Sequence, residues 1–529
     1  MKHSTRMTRT IVLGLVLAAA TATVRSQSFT MSRKAADRAE QVKNEKQPGA
    51  DLGNGYYRNP ILPGGFADPS VVKVGKDYYL AFSRGGGMMI WHSRDLVNWA
   101  PVLRQTFEGL GSIWAVDLHY YDGKFHLYMP VGEWPGKTVE KYHANFVTMA
   151  EKAEGPWSKP SRVDNEYIRD EYYTGIDPGF IQTPQGKKYL YTDHGFVMPL
   201  SDDGRQATGP PQIVYSGWEY PKEWIVEGNC LESPKLFLKD GFYYLVSALG
   251  GTSGPSTAHM AVVARSQSPT GPWLNSPYNP LVHTYSAAES WWQQGHATIV
   301  EGPDGAWWTV YHARLNGYPA LGRQTLLMPV EWTPDGWPVI KNGSKSWDII
   351  PMPRGENVGN GMPISDDFTS PAPGMQWILG QKDRERYQWG NGRLVVDAQG
   401  QNSADATAAS VLATNRSYEA TVEIDCPEGV VAGLIFANQE GLKTDGRMVS
   451  YNRGEIWRTR NTDVPLKNAG HVFLRIRNFH GDLSFYSSDD GERWTTFQNG
   501  VRAENYEVRL FAAGKGKATF RHFRYLGLE

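Results

Sequence analysis

A chain of 529 residues has room for two or three domains, each with a core of its own. Its 54 Lys and Arg balance 55 Asp and Glu, which excludes the one-signed charge footprint of a protein built to bind nucleic acid or an anionic membrane. Two cysteines, Cys230 and Cys426, are too few for a disulfide framework or a Cys-based metal site and leave room for one interdomain bridge at most.

In chain order, the first stretch reads as an export signal over 1–26. Lys2, Arg6 and Arg9 precede an apolar run over 11–20 and then small residues, and the run is too short to span a membrane. No Cys follows it, which argues against a lipid anchor. A secreted or periplasmic chain with no membrane span after processing is expected. Residues 27–55 are polar and charged and read as a flexible linker.

From Tyr56 the composition changes. Five short aromatic strands follow, each entered through a Gly-containing turn: Gly75-Lys-Asp-Tyr-Tyr-Leu-Ala-Phe82, Asp122-Gly-Lys-Phe-His-Leu-Tyr128, Gly186-Lys-Lys-Tyr-Leu-Tyr191, Asp240-Gly-Phe-Tyr-Tyr-Leu-Val246 and Asp304-Gly-Ala-Trp-Trp-Thr-Val-Tyr311. Their starts recur every ~45 to 65 residues, the signature of a β-propeller blade, although hairpins of a sandwich use the same turn chemistry. Trp99, Trp157 and Trp273 each follow a turn at comparable places and are expected to pack outer strands. The reading is all-β: a five-bladed propeller over 56–353, a Gly/Pro-rich linker over 354–364, and a β-sandwich of jelly-roll or concanavalin type over 365–529, where period-2 alternation dominates. The sandwich tryptophans Trp377, Trp389, Trp457 and Trp494 read as core rather than as sugar platforms. Aromatics make up 12% of the chain; they fill β cores, and they also suit stacking on sugar rings.

Three carboxylates stand at the edge of predicted inner strands: Asp68 in Ala-Asp-Pro-Ser, Asp177 in Gly-Ile-Asp-Pro-Gly and Glu232 in Leu-Glu-Ser-Pro. Asp-Pro is by itself a common turn opener. Equivalent positions of successive blades, however, converge at one end of a propeller's channel. Glycoside hydrolysis uses such a set: one acid protonates the leaving oxygen, one carboxylate activates water, and a third raises the acid's pKa.

These residues, with Asn59-Pro-Ile-Leu-Pro-Gly, His92-Ser-Arg-Asp-Leu-Val-Asn-Trp99, Trp114-Ala-Val-Asp117, Gly295-His296 and Leu321-Gly-Arg323, resemble glycoside hydrolase family 43 over about residues 56–350. The resemblance implies a five-bladed propeller and an inverting enzyme that removes terminal α-L-arabinofuranosyl or β-D-xylosyl residues from plant cell-wall oligo- and polysaccharides. It implies Asp68 as general base, Asp177 as pKa modulator and Glu232 as general acid. Arg323 would bind the sugar, and Trp114 would form a wall of the subsite or else belong to the core. His296 is a hydrogen-bonded structural residue or, as the resemblance implies, the neighbour of a structural Ca²⁺ ion in the channel; no cofactor is required for the chemistry. Two departures from the family pattern stand out. Glu232-Ser-Pro replaces Glu-Gly-Pro, with Glu227 in reserve, and Trp-Ala-Val-Asp replaces Trp-Ala-Pro-Asp. Alternatives are a non-catalytic carbohydrate-binding propeller, a member acting on galactosyl linkages, and a propeller that merely carries a carbohydrate-binding sandwich. The sandwich is expected to pack on the propeller and shape the rim of its site.

Overall fold

The computed structural model describes residues 49–84, 86–133, 143–164, 173–452 and 463–528. The export signal, residues 27–48 of the linker and Trp457 lie outside them. Five antiparallel sheets follow one another along the chain, each with its strands in sequence order. Their first strands are Ser70–Val74, Asp117–Tyr121, Gly179–Gln182, Glu232–Lys239 and Trp291–Glu301, in blades I to V. Each touches the first strand of the next blade, and that of blade V returns to blade I, so the first strands line a closed ring.

The five aromatic strands are the second strands of the blades: Asp77–Arg84, Lys124–Val131, Lys188–Tyr191, Phe242–Leu249 and Trp307–Leu315. They sit mid-sheet because their large rings fill the gaps between blades. Tyr79 of blade I packs on Phe125 of blade II at 4.9 Å, and Tyr128 of blade II lies over Phe180 of blade III at 5.3 Å. Trp273 of blade IV meets Tyr191 of blade III edge-on. Such pairs place large apolar area against neighbours at low entropic cost.

The ring closes through the chain ahead of blade I. Tyr56–Arg58 pairs antiparallel with Ile349–Pro351, and the Asn59 amide bonds both the carbonyl and the N–H of Leu327 in blade V. Residues 49–55, read from composition as the end of a flexible linker, join this closure instead. Ala50 is buried, its carbonyl accepts from the Arg58 N–H, and the Asp51 carboxylate accepts from the Asn98 amide. A small apolar side chain and one carboxylate suffice to dock a segment that looks featureless in composition.

The C-terminal region forms two seven-stranded antiparallel sheets. Strand Tyr418–Asp425 alternates buried and half-buried at every residue, as expected when one face covers a core. Trp377 lies in that core against Phe368, Trp389 and Phe523. Trp494 is only half-buried and carries the Arg475 guanidinium 3.8 Å over its ring. Cys230 and Cys426 are both free thiols.

The sandwich docks on the propeller through Tyr506 and Glu507. Arg84 of blade I pairs with Glu507 at 2.9 Å and lies over the Tyr506 ring. A Cβ on Gly65 would fall 2.5 Å from that ring and one on Gly322 2.9 Å from it, so only glycine allows this approach at either position. These glycines stand three residues before Asp68 and one before Arg323.

Candidate active site

The channel end of the ring is shaped by a repeated backbone turn. Asp68, Asp177, Ser233 and His296 all take left-handed φ, between 52° and 58°, and Pro or Ala follows each before its strand runs down the channel. Non-glycine residues rarely hold this conformation, and where they do the surrounding fold has overdetermined it. The turn aims the left-handed residue's side chain inward in blades I, III and V. In blade IV the equivalent residue is Ser233, one place after Glu232. Glu232 is therefore not at the strictly corresponding position that the spacing of the repeat suggested. Pairing in that blade slips between Glu232 and Lys235, and this irregularity lets Glu232 face the channel from one residue earlier.

The structure brings five of the six sequence-derived residues together. Asp177, Glu232 and His296 offer atoms within 4.8 Å of one another, and so do Asp68, His296 and His312. His296 belongs to both sets, its Nδ1 lying 3.3 Å from Asp68 Oδ1 and 3.7 Å from Asp177 Oδ2. Arg323 Nη1 donates to Asp68 Oδ1 at 2.6 Å, so its guanidinium is held by a carboxylate rather than waiting free for a sugar hydroxyl. Trp114 stands apart. It is 48% exposed at the end of blade II, with its indole on the His143 ring, and so belongs to the surface and not to the core. Glu227 is exposed and accepts from the Ser253 N–H, outside the carboxylate cluster.

Electrostatics separate the three acids. Burial works to raise Asp68, but the Arg323 guanidinium and then His296 and His312 outweigh it and hold this carboxyl well below the usual range. Glu232 is pushed up to about 7, first by burial and then by the charge of Asp68. Asp177 is also raised well above its ordinary value, by burial and then by Glu232 and Asp68. The site thus pairs an ionised carboxylate with a protonated one near neutral pH, the division of labour that acid–base hydrolysis needs.

His312 was not singled out from the sequence. Its Nδ1 accepts from the Asp68 N–H at 3.2 Å and stands 3.1 Å from Oδ1, and burial followed by Arg323 lowers its pKa to about 4, so the ring is neutral. Its only signal is a His at the end of the aromatic strand Trp-Trp-Thr-Val-Tyr. Buried ring nitrogens of His259, His296 and His312, together with Gln293 Oε1 and Gln324 Nε2, lack protein partners. Such atoms require water or an ion. The orphaned His296 Nε2 suits a water oxygen, and a hard ion such as Ca²⁺, which takes oxygen ligands, would be met through that water rather than by the ring itself.

Comparison with known proteins points one way. The family model described as glycosyl hydrolases family 43 matches residues 57–338. The chain is 31% identical over 347 residues to a non-reducing end alpha-L-arabinofuranosidase of Bacteroides ovatus, covering 61% of each. It is 32% identical over 336 residues to a xylosidase/arabinosidase of Humicola insolens, covering 56% of this chain and 57% of that one. The chain thus spans under two thirds of the length of either relative. Among solved structures, a family 43 protein of Bacillus licheniformis superposes with a TM-score of 0.75 at 26% identity, covering 89% of this chain and all of that one. A xylan beta-1,4-xylosidase of Bacillus halodurans gives 0.75 at 25% identity, covering 89% and 99%. Coverage this wide takes in the sandwich as well as the propeller.

Proposed function

The chain belongs to the glycosyl hydrolases of family 43, and from that membership we propose that it removes terminal α-L-arabinofuranosyl or β-D-xylosyl residues from plant cell-wall oligo- and polysaccharides, with inversion at the anomeric carbon. One observation carries this reading: Asp68 and Glu232 are driven in opposite directions, so base and acid are both in their working protonation states near neutral pH.

In the proposed mechanism Asp68 takes a proton from a water molecule on one face of the sugar while that oxygen bonds to the anomeric carbon. On the other face Glu232 gives its proton to the glycosidic oxygen as the C–O bond breaks. The water loses its proton as its oxygen bonds to carbon, and the leaving oxygen gains one as its bond to carbon breaks, so neither a free hydroxide nor a free alkoxide is formed. Asp177, itself raised by burial and by Glu232 and Asp68, is proposed to modulate its neighbour: of the two buried carboxyls, whichever ionises raises the proton affinity of the other. Arg323 holds Asp68 ionised and is placed to share its remaining N–H groups with the sugar. Trp114 offers an exposed indole to the incoming saccharide.

His296 is proposed to face a structural Ca²⁺ in the channel through Nε2, and such an ion would neutralise part of the carboxylate charge. Residues 1–26 are proposed to direct export to the periplasm or the medium. A sugar-binding propeller without catalysis would have no use for a raised acid beside a depressed base. Assay of 4-nitrophenyl α-L-arabinofuranoside and β-D-xyloside, with the first-formed anomer followed by proton NMR, tests the reading. Release of the inverted anomer is expected, and a retained anomer or an inert protein overturns it.

A further inference from the structure

Blade II gives no carboxylate to the proposed chemistry, yet its first strand begins with the most heavily bonded acid near the channel. Asp117 is buried and accepts four hydrogen bonds. Ser70 Oγ and Lys235 Nζ donate to Oδ1 at 2.9 and 2.7 Å, and the Phe180 N–H and His119 Nε2 meet Oδ2 at 2.8 and 2.6 Å. Lys235 is itself buried, and its ammonium also bonds the carbonyls of Val116 and Pro178, at 3.3 and 3.4 Å. Ser70 closes the loop by accepting from the Leu118 N–H.

Besides His119 and Val116 of blade II itself, the partners come from blades I, III and IV, at fixed steps from the three acids. Ser70 is two residues after Asp68, Pro178 and Phe180 are one and three after Asp177, and Lys235 is three after Glu232. Those are the strands whose turns aim the carboxylates, and blade IV is the one whose pairing slips at this point. Glu232 still pairs with Ala248 and Lys235 with Val246, but the ladder between them is broken, and the charge-assisted bond from Lys235 to Asp117 anchors the strand just past the break. Burying a Lys–Asp pair offers little net stability compared with apolar packing of the same volume, and its use is to specify geometry.

We propose that Asp117 and Lys235 form a positioning pair: a pin at the start of blade II that fixes the distance between the base strand and the acid strand. Neither side chain contacts sugar in this scheme; both act through Asp68, Asp177 and Glu232. The inference rests on the proposed hydrolase reading for its kinetic consequence, but not for its structural one.

The test uses the full chain and two variants. In D117N/K235M both buried charges go together, so no ion is left unpaired. In Ser70→Ala one hydrogen bond to the pin is lost and all charges remain. Aryl arabinofuranosides or xylosides with leaving groups from dinitrophenol to phenol are assayed, and each variant's crystal structure is solved. For the double variant kcat is expected to fall at least a hundredfold with KM within about threefold, and the loss on phenyl substrates should exceed that on dinitrophenyl ones by at least tenfold. A misplaced acid hurts poor leaving groups most, whereas a loss of folded protein lowers all substrates equally. Ser70→Ala is expected to lower kcat three- to tenfold with its melting temperature nearly unchanged. Crystallographically, the Asp68-to-Glu232 separation should change by ~0.5 Å or more in the double variant, a shift large enough to matter for catalysis. Equal loss across leaving groups, or wild-type kcat in a folded variant, overturns the pin. If the double variant does not fold, Ser70→Ala decides: unchanged kcat and unchanged carboxylate positions overturn it. A wild-type chain inert on every glycoside refutes the hydrolase reading alone, and the crystallographic separation then decides the pin.

Discussion

Replacing Arg323 with Met removes the cation that holds Asp68 ionised. Its Nη1 lies 2.6 Å from Asp68 Oδ1, and the guanidinium is the strongest of the groups that lower this carboxyl. An opposite charge this close shifts a carboxylate by about 1 to 3 pH units, and each unit is worth about 1.4 kcal/mol. His296 and His312 remain as weaker, neutral partners, so we expect the lower half of that range. A general base must be ionised to act, so the acid limb of kcat/KM moves up by about one to two pH units. The same guanidinium also lowers Glu232, so the alkaline limb moves up as well. The whole bell therefore shifts toward higher pH. Arg323→Lys, which keeps a charge but loses the planar fork, should shift it less. The assay is initial-rate kinetics on an aryl glycoside from pH 2 to pH 9, with folding checked at each pH, because the wild-type acid limb lies below pH 4. An acid limb that stays in place in R323M, with only KM raised, would refute the electrostatic role and leave Arg323 as a sugar ligand alone.

Glu232 is costly to ionise in place: its folded pKa is about 7 against an ordinary 4.5, so its contribution to stability is intact below pH 4.5 and is lost as pH rises through 7. Glu232→Gln should therefore melt higher than the wild type at pH 8, by no more than about 3 kcal/mol of stability, and match it at pH 4.5; a lower melting temperature at pH 8 would contradict this. Gly322 holds φ of 68° with Tyr506 closing on its α-carbon, so Gly322→Ala should cost ~1 to 3 kcal/mol and displace Arg323, seen as a lower kcat and a lower melting temperature. Paired truncation of Tyr506 to Ala in that variant should recover part of the stability. If a Ca²⁺ ion stands at His296, dialysis against a chelator should lower the melting temperature, with Ca²⁺ but not Mg²⁺ restoring it; an unchanged melting curve removes the ion from the account.

The architecture and much of the site were legible in the chain because their signals are local. A Gly turn followed by alternating aromatics marks a mid-blade strand wherever it occurs, and Asp68-Pro69 and Asp177-Pro178 announce the left-handed turns that aim both carboxylates. Glu232 was found by its distance to the Asp240-Gly241 turn, although its place relative to the turn at Ser233 depends on a pairing slip that no local pattern reveals. What was not legible depends on partners far away in sequence. Lys235 reads as one polar residue in a strand, and only the fold sets it on Asp117, 118 residues earlier. His312 gains its meaning from Asp68, 244 residues away. The wedge of Tyr506 between Gly65 and Gly322 joins two distant segments of the propeller to one of the sandwich.

The central claim is that Glu232 carries a proton while Asp68 does not. Infrared difference spectra of wild type against Glu232→Gln and against Asp68→Asn read this directly, through the C=O stretch of a protonated carboxyl. The account predicts that at pH 6 Glu232→Gln removes such a band, that the band titrates away near pH 7, and that in Asp68→Asn the same band is kept at acid pH but titrates away lower, because the charge of Asp68 helps to raise Glu232. Protonated-carboxyl bands that Glu232→Gln leaves in full at pH 6 would contradict it.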